Sequence, residues 1–166
     1  MPRGETYVKY HNGMTVNGAS RYDYTNGAYS HNNTGDWVDV YQEWGVSLDS
    51  TALSALMTPA PLKDMIENTV ATEHGKRVVS SNRKMDERTI TLGINLSAST
   101  KETFLTRYGN FCSYVLFPGR IDLATKYQNG VIYHLDYLSC QNFGEYGQEM
   151  AKFSLRVVEP NPSNRI

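Results

Sequence analysis

The 166-residue sequence contains no apolar run approaching 18 residues, so no membrane-spanning helix is predicted. Its first residues, Met-Pro-Arg-Gly-Glu-Thr, lack the apolar core of an export signal, so no signal peptide is predicted. An excess of either charge is also missing. Sixteen Lys and Arg stand against seventeen Asp and Glu, a net charge of −1, which excludes the basic footprint of a general nucleic-acid binder but not a locally basic patch. Cysteine is scarce, with only Cys112 and Cys140. Cys112 falls on an apolar helical stripe and reads as a buried thiol; a single disulfide stays open, but nothing points to an oxidised scaffold. There is no phosphate-binding P-loop, no dinucleotide fingerprint and no Gly-x-Ser-x-Gly elbow. None of the four histidines (His11, His31, His74, His134) is spaced with another His or with Cys as a metal pair would be. His134 and Asp136 share a strand face, and two solvent-facing polar residues account for them more simply than an acid–base pair. Asp86 and Glu87 are adjacent and point to opposite faces of any strand. No catalytic, metal-binding or cofactor-binding residue is therefore assigned, and no cofactor is expected.

What is present is a domain of ordinary composition, 40% hydrophobic and 20% charged, long enough to bury a core. The stretch from Arg88 to Phe117 organises it. Ile90, Leu92, Ile94 and Leu96 alternate with Thr89, Thr91, Gly93 and Asn95, the pattern of a strand buried on one side. The period then changes. Ser99 and Glu102 form a predicted capping box, and Phe104, Leu105, Tyr108, Phe111, Cys112 and Val115 recur at helical spacing until Pro118-Gly119. The main helix is thus expected at about residues 99–116.

Residues 1–36 contain no Leu, Ile or Phe, but five tyrosines and three Asn-Gly pairs, at 12–13, 17–18 and 26–27. They read as a Tyr/Gly/Asn-rich N-terminal arm, with extended pieces at Tyr7–Tyr10 and Met14–Val16, that gains order by lying on another surface; a loosely ordered tail is the alternative. The remaining 37–166 read as a single domain. Trp37 to Val46 is expected to be a strand with one aromatic face. Asp49-Ser50 should cap a short helix through Leu53, Leu56 and Met57. Pro61–Val70 suits a strand or a helical turn equally. The polar, charged segment 71–87 reads as a projecting hairpin. Arg120–Lys126 and Val131–Ser139 flank Asn129-Gly130, the strongest hairpin signal in the chain. Gly144 and Gly147 bracket an expected loop. Ala151, Phe153, Leu155 and Val157 alternate in a last strand that Pro160 and Pro162 end. The order predicts an α+β, β-rich fold: an antiparallel sandwich or barrel-like sheet with one main flanking helix.

Several of these pieces resemble a known family when taken in order. They are Lys84–Leu92, the helix with Lys101–Leu105, the hairpin with Tyr133–Ser139, Ala151–Leu155 and the closing Glu159-Pro-Asn-Pro162. Asp39–Leu48 and Lys63-Asp64 fit upstream, so the likeness covers about residues 37–162. Together they resemble tail proteins of long-tailed phages and prophages, in particular the N-terminal ring-forming domain of distal tail proteins. The resemblance implies a tail-tube-like fold and a non-catalytic virion structural protein that self-assembles into a hexameric ring at the junction of tail tube and baseplate. It implies other tail and baseplate proteins as partners, DNA only as cargo passing through the channel, no membrane partner, and a place in the virion tail after assembly in the cytoplasm of the bacterial host. Longer members continue into a carbohydrate-binding-like domain for which this sequence leaves no room, so tube and tail-completion roles stay open beside the distal-tail role. Candidate subunit-interface residues are Trp37, Tyr41 and Trp44 on the aromatic segment, and Lys76, Arg77, Arg83 and Lys84 on the charged hairpin. The twelve tyrosines support an alternative, a monomeric β-sandwich module that binds glycans.

Overall fold

A computed structural model of the protein describes residues 5–23, 28–29, 35–63, 66–68, 77–79 and 84–166. Its strands are β1 (Thr6–Lys9), β2 (Arg21–Asp23), β3 (Ala28–Tyr29), β4 (Trp37–Asp39), β5 (Val46–Leu48), β6 (Ile66–Asn68), β7 (Arg77–Val79), β8 (Arg88–Ser97), β9 (Arg120–Thr125), β10 (Tyr133–Tyr146) and β11 (Met150–Glu159). The helices are α1 (Val40–Trp44), α2 (Ser50–Met57) and α3 (Lys101–Phe111), the last continued by a π-helical turn over Cys112–Leu116. Nine strands form one antiparallel sheet in the order β3-β2-β4-β1-β9-β10-β11-β8-β5, while β6 and β7 form a separate hairpin. The fold is α+β and β-rich, as the sequence predicts.

The connection from β4 to β5 shows how the sheet is shaped. These strands stand six positions apart in the sheet, about 29 Å if it were flat, at ~4.8 Å per strand. Only α1 and Gly45 join them, a length of about 10 Å at ~1.5 Å per helical residue. The sheet must therefore curl until β5 approaches β4, as in a sandwich or barrel. One core fills the inside of the curl, taking Val8 from β1, Val38 from β4, Leu92 and Leu96 from β8, Leu135 from β10 and Leu155 from β11. Phe104, Phe111 and Val115 of the main helix pack into the same core, and so does Trp44.

The strand–helix pair at Arg88–Phe117 forms as its periods require. β8 alternates between buried and exposed residues along most of its length, and it pairs with β11 without interruption from Arg88↔Glu159 to Ser97↔Met150. The helix begins one residue later than the capping box predicts. Thr100, not Ser99, accepts from the Thr103 backbone N–H at 3.1 Å. Leu105, expected on the apolar stripe, is exposed, as is Met57 of α2, where Ala52 and Leu56 are buried instead.

Trp37–Val46 is not the single strand that alternation suggests. The Asp39 carboxylate accepts from the backbone N–H groups of Tyr41 and Gln42 at 3.1 and 3.3 Å, which caps a helix and ends the strand after three residues. Gly45 closes that helix in the left-handed region, at φ 66°. A Cβ there would lie 2.1 Å from the Ser97 carbonyl oxygen. Gly45→Ala is therefore expected to cost about 2 kcal/mol or more, from strained backbone and this clash together. A lowered urea midpoint with an unchanged slope would report it.

The N-terminal segment supplies an interior strand. β1 pairs with β4 on one side and β9 on the other, so the sheet is continuous across residue 36. His11 Nε2 donates to the Tyr114 carbonyl oxygen at 2.8 Å, and Ser20 Oγ donates to Glu43 on α1 at 2.5 Å. Met14–Val16 forms no strand, although Met14 is buried. Pro61–Val70, ambiguous in sequence, is extended over Ile66–Asn68, and an isolated bridge pairs Leu62 with Met85. The hairpin at Asn129-Gly130 is present, but its turn is longer than two residues, with β10 starting at Tyr133. β10 then runs on through Gly144, where a loop is predicted. Two register shifts against β11 absorb its extra residues.

Candidate functional site

Among the described residues no group of three or more His, Cys, Asp or Glu could share a metal ion. The fold offers surfaces instead, and a buried ion network that fixes the strands carrying them. Arg88 opens β8 and Glu159 closes β11, and their register makes them direct neighbours. Arg88 Nε donates to Glu159 Oε1 at 2.6 Å, with Glu159 fully buried. Arg88 Nη1 also donates to the carbonyl oxygens of Ala55, Leu56 and Thr58, satisfying the end of α2. Arg165 reaches back and donates to both carboxylate oxygens of Glu159 at 3.0 Å. That hydrogen bond holds the Arg165 guanidinium above its ordinary pKa. The Tyr133 ring lies within cation–π range of both guanidinium groups, at 5.6 Å from Arg88 and 5.0 Å from Arg165.

The outward face of the central sheet is polar. Thr89, Thr91, Lys152 and Arg156 are exposed on β8 and β11. On β9 and β10 the expected His134–Asp136 neighbours each bond across the ladder instead. His134 Nδ1 lies 2.6 Å from Asp122, and Arg120 donates to Asp136 at 2.7 Å. This bond raises the Arg120 pKa, with the Asp136 charge adding to it. His134 Nε2 lies 3.0 Å from the Ile166 carbonyl oxygen. Tyr7, Trp37 and Ala124 form a second, small apolar cluster, with Tyr22 stacked on Tyr7 at 4.7 Å.

The described candidate interface residues lie on separate elements. Trp37 is 7% exposed in that small cluster, Trp44 is 1% exposed in the main core, and half-buried Tyr41 lies on α1 between them. Lys84 is exposed near the base of the β6–β7 hairpin, and Arg77 begins β7. Lys76 and Arg83 lie outside the described residues.

A continuous aromatic layer runs from α3 onto the β10–β11 hairpin. Phe104, Tyr108, Phe143, Tyr146 and Phe153 contact one another with ring centroids 5.3–6.4 Å apart. Burial, reinforced by neighbouring Cys112, pushes the Tyr108 phenol up from 10.0 to about 12. Burial also raises the Cys112 thiol above 9.0, against a smaller opposing effect of its hydrogen bond with Tyr108. Both cysteines are free, Cys112 buried and Cys140 exposed. The sign of the pH dependence follows. As pH rises past the ordinary values of 9.0 and 10.0, the unfolded chain gives up these protons before the folded chain does. Stability should hold below about pH 9 and fall between pH 9 and 12. Thermal melts across this range, with Tyr108→Phe showing a shallower decline, check this. A melting temperature that stays flat to pH 11 would contradict it.

No protein-family model matches this sequence, and no curated protein is significantly similar to it. Among solved structures, the Dit protein of phage SPP1, described as a paradigm of the hub adsorption apparatus in phages infecting Gram-positive bacteria, is similar over 63% of this chain, at 12% identity and a TM-score of 0.45. The chain spans about 41% of the length of that structure. An identity and score this low carry no inference about activity or partners.

The Arg88–Glu159–Arg165 network is what sequence reasoning misses. Its one available signal is an arginine opening an apolar strand and a glutamate closing another, since charged residues at buried strand ends need partners.

Proposed function

We propose that this chain is a structural protein of a phage or prophage tail, which self-assembles into a hexameric ring at the junction of tail tube and baseplate and catalyses no reaction. The observation that carries this reading is that the motifs behind the family resemblance, dispersed in sequence, form one contiguous body. The strand at Arg88, the main helix, the β9–β10 hairpin and the strand at Ala151 pack as neighbours around the core, and Glu159 of the closing motif is tied to Arg88. In this reading residues 37–166 are the tail-tube-like body, the N-terminal arm completes it through β1, and DNA passes through the ring without being gripped. Tyr41, Lys76, Arg77, Arg83 and Lys84 meet the neighbouring subunit. Trp37 and Trp44 act from beneath by holding β4 and α1 in place. Other tail and baseplate proteins stack on the two faces of the ring, in virions assembled in the host cytoplasm.

The test is negative-stain imaging of concentrated protein. Six-fold rings with a central hole are expected. Compact single particles that bind in a glycan screen would overturn the reading in favour of the glycan-binding module.

A further inference from the structure

Two parts of this chain have unfinished β-structure, and they complement each other. The first is the distal half of β10. Its ladder with β9 ends at Asp136↔Arg120, and one more bond follows from Tyr137 N–H to the Gly119 carbonyl oxygen. From Leu138 to Tyr146 β11 is the one described strand that pairs with it, α3 packs on its side chains, and among the described residues no backbone group bonds to its other edge. Open strand edges are commonly blocked by charge or proline. From Leu138 to Gly144 this edge has neither. Leu138 is 50% exposed, Phe143 42% and Tyr146 53%. The two register shifts divide the edge into short stretches, so an added strand would pair between and beyond them.

The second part is the β6–β7 hairpin. Among the described strands it is the one ladder not joined to the nine-stranded sheet. A lone two-stranded hairpin is marginal in water. At its base Leu62 and Met85 face each other across the bridge and are about half exposed. The hairpin leaves the sheet beside Arg88, whose partner Glu159 lies next to the β10 end at Asp136. The open edge runs the other way, toward Tyr146 beside Ala151. The hairpin base thus lies at the Arg88–Glu159 end of the β10–β11–β8 ladder while the open edge extends to its other end, so the two parts are different patches, as a head-to-tail contact between copies requires.

We propose that the β6–β7 hairpin of one copy docks on the open β10 edge, Leu138–Tyr146, of the next. Main-chain pairing would supply the direction of the contact, and the two half-exposed apolar strips would supply the buried area. This rests on the self-assembly proposed above.

Cys140 lies on the edge and is exposed, so it serves as a handle. In Glu67→Cys, altered at the centre of β6, a short bis-maleimide should link the introduced thiol to Cys140 of a second chain. A covalent ladder is expected, lost in the further variant Cys140→Ser and lost on dilution to monomer. Leu138→Lys places a charge on an exposed edge position. It should raise the concentration needed for assembly roughly tenfold or more and leave the melting temperature unchanged, while Leu138→Val assembles normally. Oligomers seen by light scattering without the cross-link, or undiminished in Leu138→Lys, would overturn the docking and leave the ring reading standing. Absence of self-association at any concentration would overturn both.

Discussion

Replacing Glu159 with alanine is expected to destabilise the protein by about 3–5 kcal/mol, enough to lower the melting temperature by roughly 10 °C in a chain of this size. Glu159 is fully buried and accepts hydrogen bonds from two arginines, one of them Arg88, itself 4% exposed. Removing the carboxylate leaves the Arg88 charge buried without an anion, and its Nη2 already lacks a hydrogen-bond partner among the described residues. The asymmetry of the network gives a sharper test. Arg165→Ala removes the more exposed partner and leaves the Arg88–Glu159 pair intact, so it should cost about 1–2 kcal/mol. The double variant Arg88→Met, Glu159→Leu should cost less than Glu159→Ala alone, because no lone charge remains. It still loses the guanidinium that satisfies the end of α2, so it should not be neutral. Urea unfolding of the parent, Arg88→Met, Glu159→Leu and the double variant measures the coupling. Additive costs for the two positions would show that the pair is not acting as a unit.

Leu92→Asp is the second severe change. Leu92 is 1% exposed at the middle of β8 and faces the core shared with the main helix. A carboxylate there has no partner, and burying one without compensation forces protonation or local unfolding. A loss of about 4 kcal/mol or more is expected, with little soluble protein at 37 °C. Leu92→Ala, which leaves a cavity and no charge, should cost about 2–5 kcal/mol and remain soluble. A melting temperature for Leu92→Asp within a degree of the parent's would show that β8 and the helix are not the centre of this fold.

Long periodic segments were legible from sequence because one period held over their whole length. The strand at Arg88–Ser97, the helix after it and the strand at Ala151–Val157 each bury one face, and burial wrote that face into the residue pattern. Trp37–Val46 misled because five residues of helix carry too few positions to display a period, while Asp39, acting as a cap, looks like one more alternating residue. β1 was legible as an extended piece, but its place inside the sheet depends on pairing with residues more than a hundred positions away. β10 hides its length because its register shifts break the alternation where Gly144 suggests a turn. The candidate surface was the least legible. An exposed aromatic strip and a buried tryptophan look alike in sequence, and Trp37 and Trp44 proved to be packed within the chain. The open edge of β10 leaves no mark in composition, because it consists of backbone groups that lack a strand neighbour among the described residues.

Self-assembly is the central claim, and mass in solution tests it most directly. Size-exclusion chromatography with light scattering, run across protein concentration, should find a species of six chains of 18.7 kDa, about 112 kDa, that grows at the expense of monomer. A constant mass of one chain at the highest concentration would contradict the account.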